Sequence, residues 1–338
     1  IQKQLRVVCR LYQLPRRVDI PLTHKDRVGI QLGAEISEFN GEPIQDAISS
    51  VIPWSGPFSS PHVLKLQQLR YLLRSELGSE VPVTFQNPDA SEPETVTLTS
   101  IEERQSFAVS SFSIGGPNTG FELPVEYEVL DSGYVKVSIF SFSDNSRLSI
   151  ELWERMIQTL NDYGIPGLIV DMRHNDGGSG WLADQMAAYF FDEALNLGNS
   201  EYFDKSKGEF YLDPEGTTYF YPPAEQLRYH GPIAVLVGPA CSSACEFFSY
   251  DMTLQDRAAI VGEYPSGGLG GGIEAVLLPE SVYFQFPLAR NLDADGNIVI
   301  EGTGVVPTVK VPVNEDTVFA EGDPVLDAAV NWLDEQQQ

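Results

Sequence analysis

The sequence predicts an α/β protein with a smaller α+β segment ahead of its main core, on three observations. Gly167-Leu-Ile-Val-Asp-Met172 is an apolar run ending in a glycine turn, Arg173-His-Asn-Asp-Gly-Gly178, with a helical pattern from Trp181 to Phe191 behind it. Ile233-Ala-Val-Leu-Val-Gly238 repeats the arrangement: a β-branched run, a turn of small residues and a helix reaching about Leu254. Strands that are apolar throughout and alternate with helices belong to sheets buried on both faces. Third, Gly29 to Ile44 alternates apolar and polar residues into Asn40-Gly41, as a β-hairpin should.

A chain of 338 residues has room for two domains. The boundaries fall at 1–105 for an N-terminal segment and first domain, 106–125 for a linker centred on Gly115-Gly-Pro-Asn-Thr-Gly120, and 126–338 for the core. Acidic residues outnumber basic ones by 48 to 21, a net charge of −27, which argues against nucleic acid as a partner. No run of eighteen apolar residues marks a membrane span, and no signal-peptide pattern is present. The first residue is Ile, which reads as a mature or truncated chain. The charge suits a protein exported to an extracellular or periplasmic medium, although an acidic cytoplasm fits it too.

In chain order, residues 1–24 carry an arginine-rich beginning, and the Asn40-Gly41 hairpin follows. A helix is predicted from Val63 to Leu77, then strands Val81 to Gln86 and Glu94 to Leu98. In the core, Tyr134 to Phe142 is a strand and Leu148 to Tyr163 an amphipathic helix; the two strand–turn–helix units come next. Ala259 to Gly262 is a further strand leading into Ser266-Gly-Gly-Leu-Gly-Gly-Gly272. That loop fits no nucleotide-binding pattern and reads as a mobile loop beside a substrate. Ala275 to Leu278 and Val282 to Phe286 are strands. Asp293-Ala-Asp-Gly-Asn297 lacks the remaining ligands of a calcium loop and reads as a hairpin turn. Asp323 to Leu333 is the last helix. No cofactor or metal is expected.

Ser243 is the candidate nucleophile. It sits on a strand-to-helix turn among Ala240, Cys241, Ser242, Ala244 and Cys245, residues small enough for a substrate carbonyl to approach the first free N–H groups of the helix. Ser243-Ala-Cys-Glu246 also spells a capping box, which opens many ordinary helices. Cys241 and Cys245 fall four apart on one predicted helix, a poor geometry for a disulfide, and Cys9 has no evident partner. Serine catalysis further needs oxyanion donors, which the turn ending at Gly177 and Gly178 would present if its strand neighbours that of Ser243.

Two resemblances follow from these motifs. Gly29-Ile-x-x-Gly-x-x-Ile-x-x-x-Asn-Gly-x-x-Ile44, then a helix and a closing strand pair, resembles a PDZ domain, which would bind a chain end by strand addition. The core resembles the tail-specific, or C-terminal processing, serine peptidases of family S41. The residues concerned are Gly167-x-Ile-Val-Asp-x-Arg-x-Asn-x-Gly-Gly178, Cys241-Ser-Ser-Ala-Cys-Glu246, Val261-Gly-Glu263 and Glu301-Gly-Thr-Gly-Val-Val-Pro307. The resemblance implies a ClpP/crotonase-like β-β-α core and peptide-bond hydrolysis through an acyl-enzyme on Ser243. The oxyanion hole would come from the N–H of Ala244 and of Gly177 or Gly178, and the substrate would be an unfolded or C-terminally exposed polypeptide.

The general base is where the chain departs from the family. The lysine of the bacterial branch falls at Gly268, and no Lys or Arg occurs from Ala258 to Leu288. The tricorn-like branch uses Ser–His–Glu with its histidine ahead of the PDZ-like segment, and Glu301 matches its glutamate. Four histidines are present: His62 and His230 in surface contexts, His174 inside the glycine turn, and His24 nearest in order to the expected base. The expectation is a histidine upstream of Ile1, or one that has been lost. A non-catalytic peptide- or hydrophobic-ligand-binding protein on the same fold is the alternative.

Overall fold

A computed structural model describes residues 29–31, 33–53, 58–102, 123–143 and 145–337. His24, the 1–24 segment and most of the 106–125 linker lie outside the described residues. The described chain forms two compact units, one holding 29–102 together with Val313–Glu321 and the other holding 123–312 and the stretch from Gly322.

In the first unit, β1 (Glu35–Phe39), β2 (Glu42–Pro43), β3 (Glu80–Gln86) and β4 (Glu94–Thr99) make an antiparallel sheet in the order β2-β1-β3-β4. Asn40 and Gly41 turn the hairpin at φ 54° and 78°, values that asparagine and glycine tolerate. The hairpin is shorter than its alternation, because at Pro43 the chain turns directly into helix α1 (Ile44–Ser50). Helix α2 (Pro61–Tyr71) stops at Tyr71 rather than Leu77, and Leu73 and Leu77 are exposed. Ile44, Ala47, Ile48 and Leu72 form the small core. The returning segment adds a helical turn, Glu315–Val318, and sets Phe319 against Gly33, where a Cβ would meet the ring at 3.5 Å.

The second unit is built on a six-stranded sheet. Its elements are β5 (Val125–Val129), β6 (Val135–Ile139), α3 (Ser146–Asp162), β7 (Leu168–Asp171), α4 (Gly180–Ala187), β8 (Leu195–Asp204), β9 (Glu209–Leu212) and β10 (Thr218–Phe220). They continue as β11 (Ile233–Leu236), α5 (Ala244–Asp251), β12 (Ala259–Gly262), β13 (Ile273–Leu277), β14 (Tyr283–Pro287), β15 (Ala289–Leu292), β16 (Ile298–Val299), β17 (Val309–Lys310) and α6 (Pro324–Gln336). The sheet order is β17-β12-β11-β7-β6-β5, parallel except for the edge pair β5–β6.

Both faces of this sheet are covered, which explains the unbroken apolar runs. Leu168, Val170, Ile233, Val235 and Ile260 point into a core with Trp153, Met156 and Ile157 of α3, Leu182 and Met186 of α4 and Phe248 of α5. The alternate residues Ile169, Ala234, Leu236, Ala259 and Val261 pack with Val325, Ala329 and Leu333 of α6. This period-two partition is what a strand buried on both faces produces. Asn145 opens α3 by accepting the N–H of Arg147 and Leu148, and Asp323 does the same for α6 with Val325 and Leu326. A second sheet, β10-β8-β15-β16 with β9 on β8, was not expected from the sequence. Asp293 turns the β15–β16 hairpin as anticipated, its Oδ1 accepting the N–H of Asp295 and Asn297. Among the described residues, no helix is long and apolar enough to cross a membrane.

Candidate functional site

Strands β7 and β11 are parallel neighbours, with Val170 opposite Val235 and Asp171 opposite Leu236. Their carboxyl ends therefore release the glycine turn and the serine turn side by side, where open α/β sheets build their sites. The approach is close. A Cβ placed on Gly177 would stand 2.7 Å from Ser243 Cβ and 2.7 Å from the Ser242 carbonyl oxygen; one on Gly178 would stand 2.3 Å from the Phe142 carbonyl carbon. Both glycines also hold positive φ, 105° and 134°, so neither position accepts another residue without backbone movement.

Ser243 itself lies at φ 56°, ψ −122°, a backbone state that a residue with a side chain holds only under constraint from its surroundings. It is half-buried at the N-cap of α5. The capping box of Ser243 and Glu246 is present, with the Ser243 N–H donating to Glu246 Oε2 at 3.1 Å.

The expected oxyanion donors divide. Gly177 is buried and its N–H donates to Asn175 Oδ1 at 2.8 Å, while Gly178 is exposed and its N–H, like that of Ala244, finds no partner among the described residues. Asn175 is fully buried; its Nδ2 donates to the Ile139 carbonyl at 3.0 Å, so one amide both orients Gly177 and ties the turn to β6. Ser242 binds the same turn from the other side, its N–H donating to the Asn175 carbonyl at 3.3 Å and its hydroxyl to the Asp176 carbonyl at 3.0 Å. Ahead of the glycines, Arg173 forks onto Asp171 and, across the chain, onto Asp323 at the start of α6. Burial raises the Asp171 pKa, but the Arg173 charge and its hydrogen bonds outweigh this and hold the carboxyl below its ordinary value.

Glu246 reaches beyond the cap. Its Oε1 accepts Ser266 Oγ (2.6 Å) and the Gly268 N–H (2.7 Å), and its Oε2 accepts the Leu269 N–H (2.8 Å) along with Ser243. Burial pushes its pKa up against the pull of these four donors, three of which are backbone N–H groups that cannot take a proton. The Gly267 N–H adds a bond to the Cys241 carbonyl at 2.7 Å. The glycine loop that the sequence marked as mobile is thus anchored on the serine turn, with Ser266, Gly267 and Gly268 buried.

One expectation is overturned outright. Cys241 and Cys245 form a disulfide, with Cα atoms 5.4 Å apart. The poor geometry assumed for them placed both on one helix, but α5 begins at Ala244, so Cys241 lies in the preceding turn, which folds back within bonding range. Both residues are fully buried, and Cys245 Sγ rests 3.4 Å from the Met172 carbonyl, a contact rather than a hydrogen bond because the bridged sulfur carries no proton.

Glu301 follows β16, its neighbour Gly302 donating to the Gly268 carbonyl at 3.1 Å. Its Oε2 is buried without a hydrogen-bond partner, and burial raises its pKa. His174 is placed within the electrostatic reach of Asp171, Arg173 and Asp323, with its pKa lowered chiefly by burial and its Nδ1 unpartnered. His230 lies 3.8 Å from Asp192 at the surface, and His62 belongs to α2 of the first unit. Sequence reasoning did not single out Asn175 or Asp323. The signal for Asn175 was there: a short amide two residues before a glycine can turn back on that glycine's N–H.

The family model described as Peptidase family S41 matches residues 131–311. The chain is 24% identical over 257 residues to the carboxyl-terminal-processing peptidase 2, chloroplastic, of Arabidopsis thaliana, covering 75% of this chain and 44% of that one. It is 28% identical over 209 residues to the carboxy-terminal processing protease CtpA of Bacillus subtilis, covering 61% and 41%. The chain thus spans less than half the length of either relative. Among solved structures, mature CPAF complexed with lactacystin superposes with a TM-score of 0.60 at 16% identity, over 92% of this chain and 78% of that one, a likeness of fold.

Proposed function

The chain belongs to peptidase family S41, and from that premise we propose that it is a serine endopeptidase acting on unfolded or C-terminally exposed polypeptides through an acyl-enzyme on Ser243. The observation that most supports this is the contact between the two turns: Gly177 lies against Ser243 and Ala244 so closely that no side chain fits, and the N–H groups of Gly178 and Ala244 have no partner among the described residues. Ser243 Oγ attacks the scissile carbonyl as its proton passes to a base. The two N–H groups receive the oxygen as it gains charge; the protonated amine leaves, and water releases the acyl group. Gly177 serves as a spacer, since its own N–H is occupied by Asn175.

With no Lys or Arg between Ala258 and Leu288, the glycine loop supplies no cationic base. We assign a Ser–His–Glu arrangement in which Glu301 holds the imidazole. Its buried, unpartnered Oε2 needs a donor, and an imidazole N–H would satisfy it. The histidine would come from ahead of the first unit. That unit, with its Asn40-Gly41 hairpin, helix and closing strands, is proposed to act as a PDZ-like binder of substrate chain ends. The buried disulfide favours an oxidising compartment, extracellular or periplasmic.

The test is cleavage of a denatured protein and labelling by a fluorophosphonate, both expected to vanish in Ser243→Ala. If the full natural protein neither cleaves nor labels, yet binds denatured polypeptide equally well before and after Ser243→Ala, it is a binding protein on a peptidase fold.

A further inference from the structure

We propose that the Cys241–Cys245 disulfide is a positioning device for Ser243. It would act as a covalent brace that keeps the serine's constrained backbone in the state where its hydroxyl faces the carbon, and the Ala244 N–H the oxygen, of one substrate carbonyl. The inference rests on the assignment of Ser243 as nucleophile.

The bond spans Ser242, Ser243 and Ala244, with the φ 56° residue at its centre. A backbone in so sparsely populated a region relaxes unless its flanks are held. Ser243 itself donates its N–H to Glu246 and accepts the Glu246 and Phe247 N–H groups at its carbonyl. Its flanks are held on both sides. Before the serine, the Cys241 N–H donates to the Gly238 carbonyl at 2.9 Å and the Cys241 carbonyl accepts the Gly267 N–H at 2.7 Å. After it, Cys245 is fixed in the first turn of α5 and its sulfur lies against the Met172 carbonyl, next to the turn that carries Gly177. The disulfide joins these two fixed points, so the three residues between them cannot extend without breaking a covalent bond or several hydrogen bonds.

Its place in the core has a second consequence. Both cysteines are fully buried, in the core cluster that also holds Met172, Ala244 and Phe248. The buried cystine thus acts on catalysis indirectly, through the position of Ser243 and Ala244.

The first measurement is mass spectrometry of the protein denatured and treated with iodoacetamide in the absence of reductant. The peptide containing both residues is expected to lack two hydrogens and to take up no label, and labelling of both thiols would overturn the proposal. The second is the rate of fluorophosphonate labelling, with kcat and KM on a denatured protein, for Cys241→Ala, Cys245→Ala and the double variant, each well below its own unfolding midpoint. Because either single change removes the whole bond, all three are expected to label and turn over about tenfold more slowly or worse, to the same extent, with KM unchanged. Wild-type rates, or losses that add between the two positions, would refute the brace.

If the variants do not fold, the same rates are read on the wild type before and after treatment with dithiothreitol and again after reoxidation. The dithiol supplies two electrons and two protons to the bond and closes to its own cyclic disulfide. Loss and recovery of rate are expected; an unchanged rate in protein shown to be reduced would sink the proposal. A wild type that never labels would instead refute the role of Ser243, while the mass measurement still decides whether the bond exists.

Discussion

Asp184 of α4 and Asp251 of α5 make a buried acidic pair in the helical layer behind the site, and they give the protein a defined dependence on pH. Asp251 is 3% exposed and its Oδ2 has no hydrogen-bond partner. Burial raises the pKa of both, to about 7 for Asp184, and proximity to Asp184 adds to the rise at Asp251. A carboxyl whose pKa is higher folded than unfolded binds its proton more tightly in the folded state. Its favourable contribution is complete below the unfolded value and is lost as pH rises through the folded one. Carrying Asp184 from its ordinary 3.8 to about 7, at about 1.4 kcal/mol for each pH unit, removes on the order of 4 kcal/mol over that interval. Asp184→Asn abolishes the titration. Urea unfolding of wild type and variant across pH 4 to 8 should show the variant's relative stability rising with pH by up to about 4 kcal/mol and levelling above about 7. The difference between the two proteins cancels the titration of carboxylates away from the pair. Asp251, relieved of the Asp184 charge, has its pKa lowered in the variant, which adds to the rise in the same direction, and any fixed cost of burying the amide displaces the curve without bending it. A difference that is flat, or falls with pH, refutes the account.

Two further expectations concern the site. Gly177→Ala should all but abolish fluorophosphonate labelling and destabilise the fold by about 1–3 kcal/mol, because the methyl meets Ser243 Cβ at 2.7 Å on a backbone at φ 105°; labelling at the wild-type rate would show that the turns separate more readily than their packing implies. Glu246→Gln replaces an acceptor of four bonds with an amide whose NH₂ must face donors, and should cost about 2–4 kcal/mol in thermal or urea unfolding together with a slower labelling rate.

The parallel sheet was legible because burial on both faces leaves a strong trace: β7, β11 and β12 are apolar at nearly every position. The turns that follow were legible for a related reason, since two strands sharing a core must end together and only small residues fit between their exits. The second sheet left no such trace. β8 and β9 carry Asn, Gly, Glu and Asp among exposed tyrosines and phenylalanines, so neither a period of two nor an apolar run stands out. β5 is five residues long and exposed after Val125, so no strand stood out at the start of the core. The disulfide depended on where a helix begins. With α5 starting before Cys241, the two sulfurs diverge; with its start at Ala244, they meet, and a sequence fixes helix boundaries less sharply than that. The fourfold use of Glu246 was equally hidden, because three of its donors lie on a loop about twenty residues further along the chain.

The return of Val313–Glu321 to the first unit sets an order of events during synthesis. Phe319, which closes over Gly33, leaves the ribosome only after β5 through β17 have been made. Growing from its N-terminus, the chain therefore holds an early unit that stays unfinished while nearly the whole of a later one is translated. A ribosome stalled anywhere between the last strand of the first unit and Phe319 would release a protein whose opening sheet lacks its final piece. The threading therefore delays completion of the first unit until translation is almost complete.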